Sequence, residues 1–566
     1  MEYTKIKNRR DLSLALGVPP SELTYVLYKK GVDQYYSSFL IPKKSGGNRE
    51  IDASKGALKY IQRRLVGLLW ERQNTVWSEE TILPNIAHAF QKKKSIMTNA
   101  NVHKNKRYVV NLDLENFFGS IHFGRVKGFF AKNRYFCVGE EVATVIAQLV
   151  CYKGRLLQGA PSSPIITNLI CGILDIRLLK LAKKYRLDYT RYADDMTFST
   201  NSVTAEDYLN DFIADLAIEV EHAGFKINER KTRVIYRNSR QEVTGLVVNK
   251  RISVKRDYYK LTRAMAANLY KENEFTIGGT RGTITQLEGR FAFINQIDKW
   301  NRKMGVLSKE LTSREEQYKK FLVYKYFFAT ERPVIITEGK TDVQYLKAAL
   351  KANAEKYPDL VSKTDNDKFK FKISFFNRTK RIKHFFGSAE DGADAIKPFV
   401  LMYGSSKDAM IEWFKQFTGN NPCKPVILIF DNEDSKEKPL SKMIGTLLND
   451  KVLRNKRKAN DMRCELNEHG KMHVKDNLFF ATTPKNANKD CEIENLFNKN
   501  ELDGIRINGR TYHEGFEKSA GWDPAKHFSK NVLSLYVLKD YKNINFEGFI
   551  PLLDAINSIV KNDDHY

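Results

Sequence analysis

At 566 residues, 42% hydrophobic and 28% charged, the chain is too long for one compact core, and its length suggests roughly two to four globular domains. The net charge of +27 is uneven: counted along the chain, residues 1–330 carry +22 and residues 331–566 carry +5, so the first part is expected to hold a polyanion, most simply nucleic acid. Six scattered cysteines without a CxxC pair argue against a zinc ribbon, and the absence of a legible signal peptide or apolar run of about 18–20 residues points to a reducing cytoplasm and no membrane partner.

In chain order, residues 1–30 read as helices, with SELTYVLYKK started by a serine cap. FLIPKKSGGNREIDA (39–53) reads as a hairpin around Ser-Gly-Gly, and LKYIQRRLVGLLWERQ (58–73) as an amphipathic helix. KRYVVNLDLENFF (106–118) is a buried strand ending on an acid. Apolar-periodic helices follow at 140–151 and 164–185, and YTRYADDMTFST (189–200) is a hairpin with its acids at the turn. Residues 205–224, 256–272 and 286–303 read as helices, the last two basic, and a polar stretch near 304–317 reads as linker. A second α/β pattern follows: strand 333–337, helix 341–353, strand 369–376, helix 406–417, and strands 425–430 and 477–482. The last 60 or so residues show no assignable pattern.

Asp113 ends a strand, and Asp194 and Asp195 occupy a hairpin turn. Phosphoryl transfer with two divalent ions needs carboxylates from separate strands converging on metals roughly 3.5–4 Å apart. Adjacent aspartates are also ordinary turn residues, so neighbouring motifs must carry the distinction. In order, NLDLENFF (111–118), QGAPSSPIITNLI (158–170), YADD (192–195), GFKINERKT (224–232) and VTG (243–245) resemble the reverse transcriptases, over about residues 20–300.

That resemblance implies a right-hand polymerase with fingers, palm and thumb. It makes Asp113, Asp194 and Asp195 catalytic Mg²⁺ ligands, with the Leu114 carbonyl a further ligand. It also implies dNTP contacts from Lys43, Lys44, Arg49, Gln158, Gly159, Pro161 and Lys231. Phe118 is the aromatic gate against a 2′-hydroxyl, with Phe117 the competing candidate. NANVH (99–103), together with VTG, is similar to retron reverse transcriptases. These bacterial enzymes copy a cognate non-coding RNA into branched, RNA-linked DNA (msDNA) and serve in antiphage defence. Asn99, His103, Val243, Thr244, Gly245, Arg256 and Tyr258 are then expected at nucleic acid.

VIITEGKTD places Glu338 just past a strand. PVILIF precedes DNED, with Asp431, Glu433 and Asp434, and NLFFATTP precedes CEIENLF, with Glu492 and Glu494. Ligand sites of open α/β sheets gather at the carboxyl ends of strands, so three acid groups there form one candidate metal site. Independent turns with solvated acids are the plainer alternative. The order E-G, D-x-D, later acid resembles the Toprim domain, over about 330–500. The spacing departs from the usual pattern, since Asp431 is followed at plus two by Glu433 rather than by an aspartate.

The resemblance implies catalytic Glu338 and Asp431, Mg²⁺ or Mn²⁺ held with Glu494 and with either Glu433 or Asp434 in the second position, and hydrolysis of a nucleic-acid target. The expected organisation is 1–105 N-terminal helices and fingers, 106–250 palm, 251–315 thumb, 316–332 linker, 333–500 a Rossmann-like α/β Toprim domain, and 501–566 an extension of unknown role. The alternative is another defence-associated or untemplated polymerase whose Toprim domain only binds nucleic acid. Self-association is left open.

Overall fold

The computed structural model describes residues 2–42, 46–79, 86–305, 310–364, 366, 368–390, 392–405, 409–485, 490–513 and 522–562. They form two compact units, Met1–Tyr258 with Gln296–Leu307, and Tyr259–Asn295 with Ser308–Tyr566. No described helix is long and apolar enough to cross a membrane.

In the first unit, Tyr36–Pro42 pairs antiparallel with Asn48–Ser54, and the helix Gly56–Glu79 follows. The centre is a four-stranded antiparallel sheet in the order Asp188–Tyr192, Asp195–Thr200, Tyr108–Asp113, Arg233–Tyr236. Side chains alternate between faces of a strand. Val110, Leu112, Met196 and Phe198 therefore share one core with the buried faces of Ser163–Lys184 and Ala205–His222. Leu209, Phe212, Leu216 and Val220 recur at helical spacing and are all buried, which is how an amphipathic helix seats on a sheet.

The second unit holds a five-stranded sheet in the order Ser374–Phe375, Val334–Thr337, Val426–Phe430, Leu478–Thr482, Lys471–Lys475. The first four strands are parallel and the last is antiparallel. Burial on both faces makes VILIF and LFFAT continuous apolar runs. Val334, Ile336, Val426, Leu428 and Phe430 face one cluster, and Ile335, Ile427, Ile429 and Phe479 face the other.

Three expectations change. The segment expected as a linker, 316–332, is helical over Ser313–Val323 and continues as a π-helical turn over Tyr324–Phe328. Its charges mislead because Glu315 is spent on a capping box with Thr312, while Tyr318 and Phe321 stack on Phe291 at 5.3 and 5.1 Å. The thumb range 251–315 also divides: residues 259–295, including Leu269, Tyr270, Leu287 and Phe291, share the core of the second unit. Strand 369–376 is two strands, because Phe369–Phe371 pairs with Val361–Lys363 and Ser374–Phe375 with Val334–Ile335.

The region left unassigned is built into the α/β unit. Helix Lys530–Lys539 and helix Ile550–Lys561 bring Leu533, Val537, Leu552, Leu553 and Ile556 into the core with Tyr345 and Leu346. At roughly 1.5–3 kcal/mol per fully buried large apolar side chain, truncating these helices would expose one face of the sheet.

Candidate active sites

Asp113 and Asp195 are register partners on neighbouring antiparallel strands, and the Asp194 carbonyl accepts from the Leu114 N–H at 3.1 Å. The three carboxylates thus meet at one end of the sheet. Packing around the carboxylate, then the charges of Asp194 and Asp113, push Asp195 up to about 6. This is the behaviour of a crowded acid site short of positive charge. Lys231 supplies some of that charge, with Nζ 2.9 Å from both Asp113 oxygens.

Among the described residues no three Asp, Glu, His or Cys side chains are arranged to hold an ion as they stand. The donor set nonetheless fits a hard cation, because it is all oxygen, and an ammonium already bridges Asp113 where a divalent ion would compete.

What holds the turn was missed in the sequence. Arg191 is fully buried. Its Nε and Nη2 each lie 2.7 Å from an Asp175 oxygen, and its Nη1 donates to the Asn168 Oδ1 at 3.3 Å and the Ala193 carbonyl at 3.2 Å. Ala193 itself has φ +57°, so the YADD turn is braced from beneath by a paired guanidinium. The signal lay in the motif, where an arginine stands two residues before Ala193, between Thr190 and Tyr192.

The structure corrects the expectation for NAxxH. Asn99 and His103 are fully buried and cannot reach nucleic acid. His103 Nδ1 and Nε2 lie 2.7 Å from Ser199 Oγ and Thr190 Oγ1, tying the two strands of the YADD hairpin together. Burial, then Lys106 and His88, drive its pKa down to about 3, so the ring is neutral. VTG is a two-residue hairpin in which Leu246 pairs with Val243, with φ +47° at Thr244 and +80° at Gly245, as tight primed turns require. Val243 is buried, and Thr244 Oγ1 donates to the Ile96 carbonyl at 3.4 Å. VTG and the helix Ile96–Val102 that carries most of NAxxH, distant in sequence, are therefore neighbours within the first unit. Arg256 is exposed at the start of its helix and Tyr258 is half-buried.

A cleft of about 570 Å³ opens beside the acids, lined by Asp113, Asp194, Phe118, Gln158, Arg155 and Lys231 among others. Both phenylalanines line the cleft; Phe118 is half-buried at its wall, whereas Phe117 is 4% exposed and packs 5.8 Å from Phe225. Gly159 has φ +123°, and a Cβ there would lie 2.8 Å from the Asp52 carbonyl. The close approach it permits is to the Asn48–Ser54 strand. Pro161 does not line the cleft. Lys43 and Lys44 lie outside the described residues, as does the Arg49 side chain. Arg155, unnoticed in sequence, adds an exposed cation on the wall.

The second acid group gathers at the carboxyl ends of two adjacent parallel strands. Numbered along the chain within the sheet, the strand order is 2-1-3-5-4, so Glu338 and Asp431 follow strands 1 and 3 at the topological switch point. The Asp431 N–H donates to Glu338 Oε1 at 3.2 Å, and the Ile493 N–H donates to Asp431 Oδ1 at 2.9 Å. Asn432 and Cys491 form a backbone bridge that brings the late acids alongside. Burial first, then neighbouring carboxylates, push Glu338 up to about 8 and Asp431 up to about 9. Burial also raises Asp342 and Glu494.

The two candidates after Asp431 part company. Glu433 is 6% exposed and among the charges acting on Glu338, and Lys438 meets it at 2.5 Å. Asp434 is turned outward to Lys485 at 2.6 Å. Two further groups stand beside these acids, the helix cap that the turn sequence offered and a lysine that the sequence reading missed. Asp342 caps its own helix through the Gly339 N–H at 2.7 Å. Lys530, from the C-terminal segment, lies 3.2 Å from Glu494 and 3.3 Å from Glu492.

Residues 41–254 match the family model described as reverse transcriptase (RNA-dependent DNA polymerase). Retron Mx162 reverse transcriptase of Myxococcus xanthus is 34% identical over 325 residues, covering 52% of this chain and 65% of its own length. Retron Mx65 reverse transcriptase of the same organism is 36% identical, covering 46% of this chain and 62% of its own. The chain thus spans somewhat under two thirds of those relatives. Retron Ec86 reverse transcriptase of Escherichia coli is 30% identical over 296 residues, covering 52% of this chain and 85% of its own length. Among solved structures, apo telomerase from Candida tropicalis is similar at 12% identity and a TM-score of 0.31, over 51% of this chain and 61% of that one. With the palm motifs in place and most of the Ec86 enzyme's length matched, the chain belongs to the retron reverse transcriptase family.

Proposed function

We propose that this protein is an RNA-directed DNA polymerase that copies a cognate structured non-coding RNA into branched, RNA-linked DNA. The supporting observation is the pairing of Asp113 with Asp195 at the mouth of a cleft that also carries Phe118, Gln158 and Lys231. Mg²⁺ held by Asp113, Asp194, Asp195 and the Leu114 carbonyl would lower the pKa of the attacking hydroxyl and offset charge on the transferring phosphate. Lys231 and Arg155 place positive charge along the incoming triphosphate. Phe118 closes the space a 2′-hydroxyl would need. Alanine at Asp194 and Asp195 should abolish DNA synthesis from the cognate RNA, and synthesis that continues would sink the assignment. Sequencing the copurifying nucleic acid for a 2′,5′ branch separates the retron reading from an unbranched polymerase.

A second reading concerns the α/β unit. We propose that it is a Toprim-like, divalent-metal-dependent phosphodiesterase acting as an effector in antiphage defence. Its support is the burial of Glu338 and Asp431 together at the switch point, at an energetic cost that a resident cation would offset. Glu433 and Glu494 complete the oxygen donor set that fits Mg²⁺ or Mn²⁺, with Asp434 outside it. Alanine at Glu338 or Asp431 should spare DNA synthesis and remove Mg²⁺-dependent cleavage. Cleavage surviving both changes would place the nuclease elsewhere, and no cleavage by the intact protein would leave a nucleic-acid-binding module.

A further inference from the structure

Beside Thr337 and Gly339, which flank Glu338 in the chain, lies a smaller cavity of about 310 Å³. At about 30 Å³ per water, it has room for roughly ten waters, or for one sugar and its phosphate. Four cations line it: Lys340 and Lys347 from the helix after Glu338, and Arg378 and Lys383 from the segment after the neighbouring strand. Among the described residues, the only acid on its wall is Glu390. Arg378 joins the cavity to the acid site directly, since its Nη2 donates to the Glu338 backbone carbonyl. Lys347 Nζ lies 5.2 Å from the Phe375 ring centroid, which leaves an aromatic edge along one wall.

Glu390 shows what the cavity selects. It lies between Gly387 and Gly392, both at positive φ, and its carboxylate pairs with Lys383, whose own side chain is only 13% exposed. Hydrogen bonding to Lys383, then the charges of Lys383, Lys340 and Lys380, hold the Glu390 carboxyl below its usual range. An exposed carboxylate from the chain thus already pairs with Lys383 at the cavity wall. Phosphate, with more acceptor oxygens and more charge, suits the same cations better.

We propose that this cavity is a phosphate-binding subsite for a nucleic-acid strand, seating a backbone phosphate next to the bond presented to Glu338 and Asp431, with Glu390 as the resident anion that the strand displaces. The subsite names the substrate class of the second active site and so rests on that reading, but binding can be scored without cleavage. Arg378 is a positioning residue as well, because its bond to the Glu338 carbonyl ties strand seating to the acid that would hold metal.

The test uses the full chain in EDTA and reads one site, so that nucleic acid held by the rest of the protein does not contribute. Lysine acylation is followed by mass spectrometry at Lys340, Lys347 and Lys383, with and without the 5′-phosphorylated dinucleotides pdTdT and pUpU. The expected result is several-fold slower labelling at these lysines. The half-protecting concentration should fall about five- to tenfold in Glu390→Gln and rise by a similar factor at Lys340 in Lys383→Gln. Protection by pdTdT alone, pUpU alone or both assigns a DNA, RNA or sugar-tolerant subsite. Labelling unchanged by either dinucleotide, or an equal effect of the two substitutions, overturns the proposal. Mg²⁺-dependent cleavage is assayed separately: protection without cleavage keeps the subsite and removes the nuclease, and cleavage without protection does the reverse.

Discussion

The brace under the YADD turn makes a prediction that separates stability from activity. Arg191 is fully buried and Asp175 nearly so, and they are joined by two bonds of 2.7 Å. Replacing Asp175 with alanine leaves the guanidinium only the Asn168 side chain and the Ala193 carbonyl. An uncompensated buried charge of that kind costs about 3–5 kcal/mol. For a domain of this size that corresponds to a Tm roughly 6–20 °C lower. Arg191→Met strands the Asp175 carboxylate and should cost a similar amount.

The double change Arg191→Met, Asp175→Leu removes both charges and fills the space. Its stability should return to within about 1–2 kcal/mol of the parent, because apolar replacement of a buried pair is often close to neutral. Activity should not return. The Ala193 carbonyl loses its donor, at about 1–3 kcal/mol, and the turn carrying Asp194 and Asp195 loses its support. Thermal unfolding of the four proteins, with primer extension on an RNA template, reads both quantities, and synthesis by the double variant should stay at least about tenfold down. Strictly additive losses in the two single variants would refute the buried-pair reasoning. Full synthesis by the double variant would refute the brace.

The second acid group makes the α/β unit pH-dependent. Glu338 and Asp431 have folded-state values of about 8 and 9, above their ordinary 4.5 and 3.8, so between those limits the folded state holds protons that the unfolded chain releases. The contribution of this pair to stability in EDTA should be fully present below about pH 4 and be lost as pH rises to about 9. Asp431→Asn should flatten that slope and Mg²⁺ should restore stability at high pH; a Tm that rises with pH in EDTA would contradict the burial. His103→Ala should lower the Tm of the polymerase unit, at about 1–3 kcal/mol for the buried hydroxyls it strands, without weakening binding of the cognate RNA; unchanged stability with weaker binding would return His103 to the RNA surface. Phe118→Ala should raise incorporation of ribonucleotides relative to deoxyribonucleotides by an order of magnitude or more, measured as the kcat/KM ratio, whereas Phe117→Ala should mainly destabilise.

The acids of both sites were legible in the sequence for a local reason. A strand leaves its end residue at the sheet's rim, and YVVNLD, VIIT and VILIF announce their strands by short, largely apolar runs. Asp113 and Asp431 could therefore be placed from a few neighbouring residues. The reading failed where a residue's role depends on something far along the chain. The resemblance placed NAxxH at nucleic acid, and no local pattern shows that the motif is buried. His103 is internal because Thr190 and Ser199 bring hydroxyls to both ring nitrogens, partners about ninety residues away. The stretch 316–332 looked like a linker because its aromatic face has no partner until Phe291 and Phe385 arrive.

What the sequence by itself determined is where the acids stand: which carboxylates, on which strand ends, in a chain whose positive charge is concentrated in residues 1–330. The tertiary structure alone decided which groups support them. It placed Arg191 beneath the YADD turn, turned Glu433 inward and Asp434 toward Lys485, and brought Lys530 from the C-terminal segment to Glu494. Local hydrophobic pattern is set by neighbours in the chain, whereas pairing of a buried charge depends on packing between elements that the pattern leaves unordered in space.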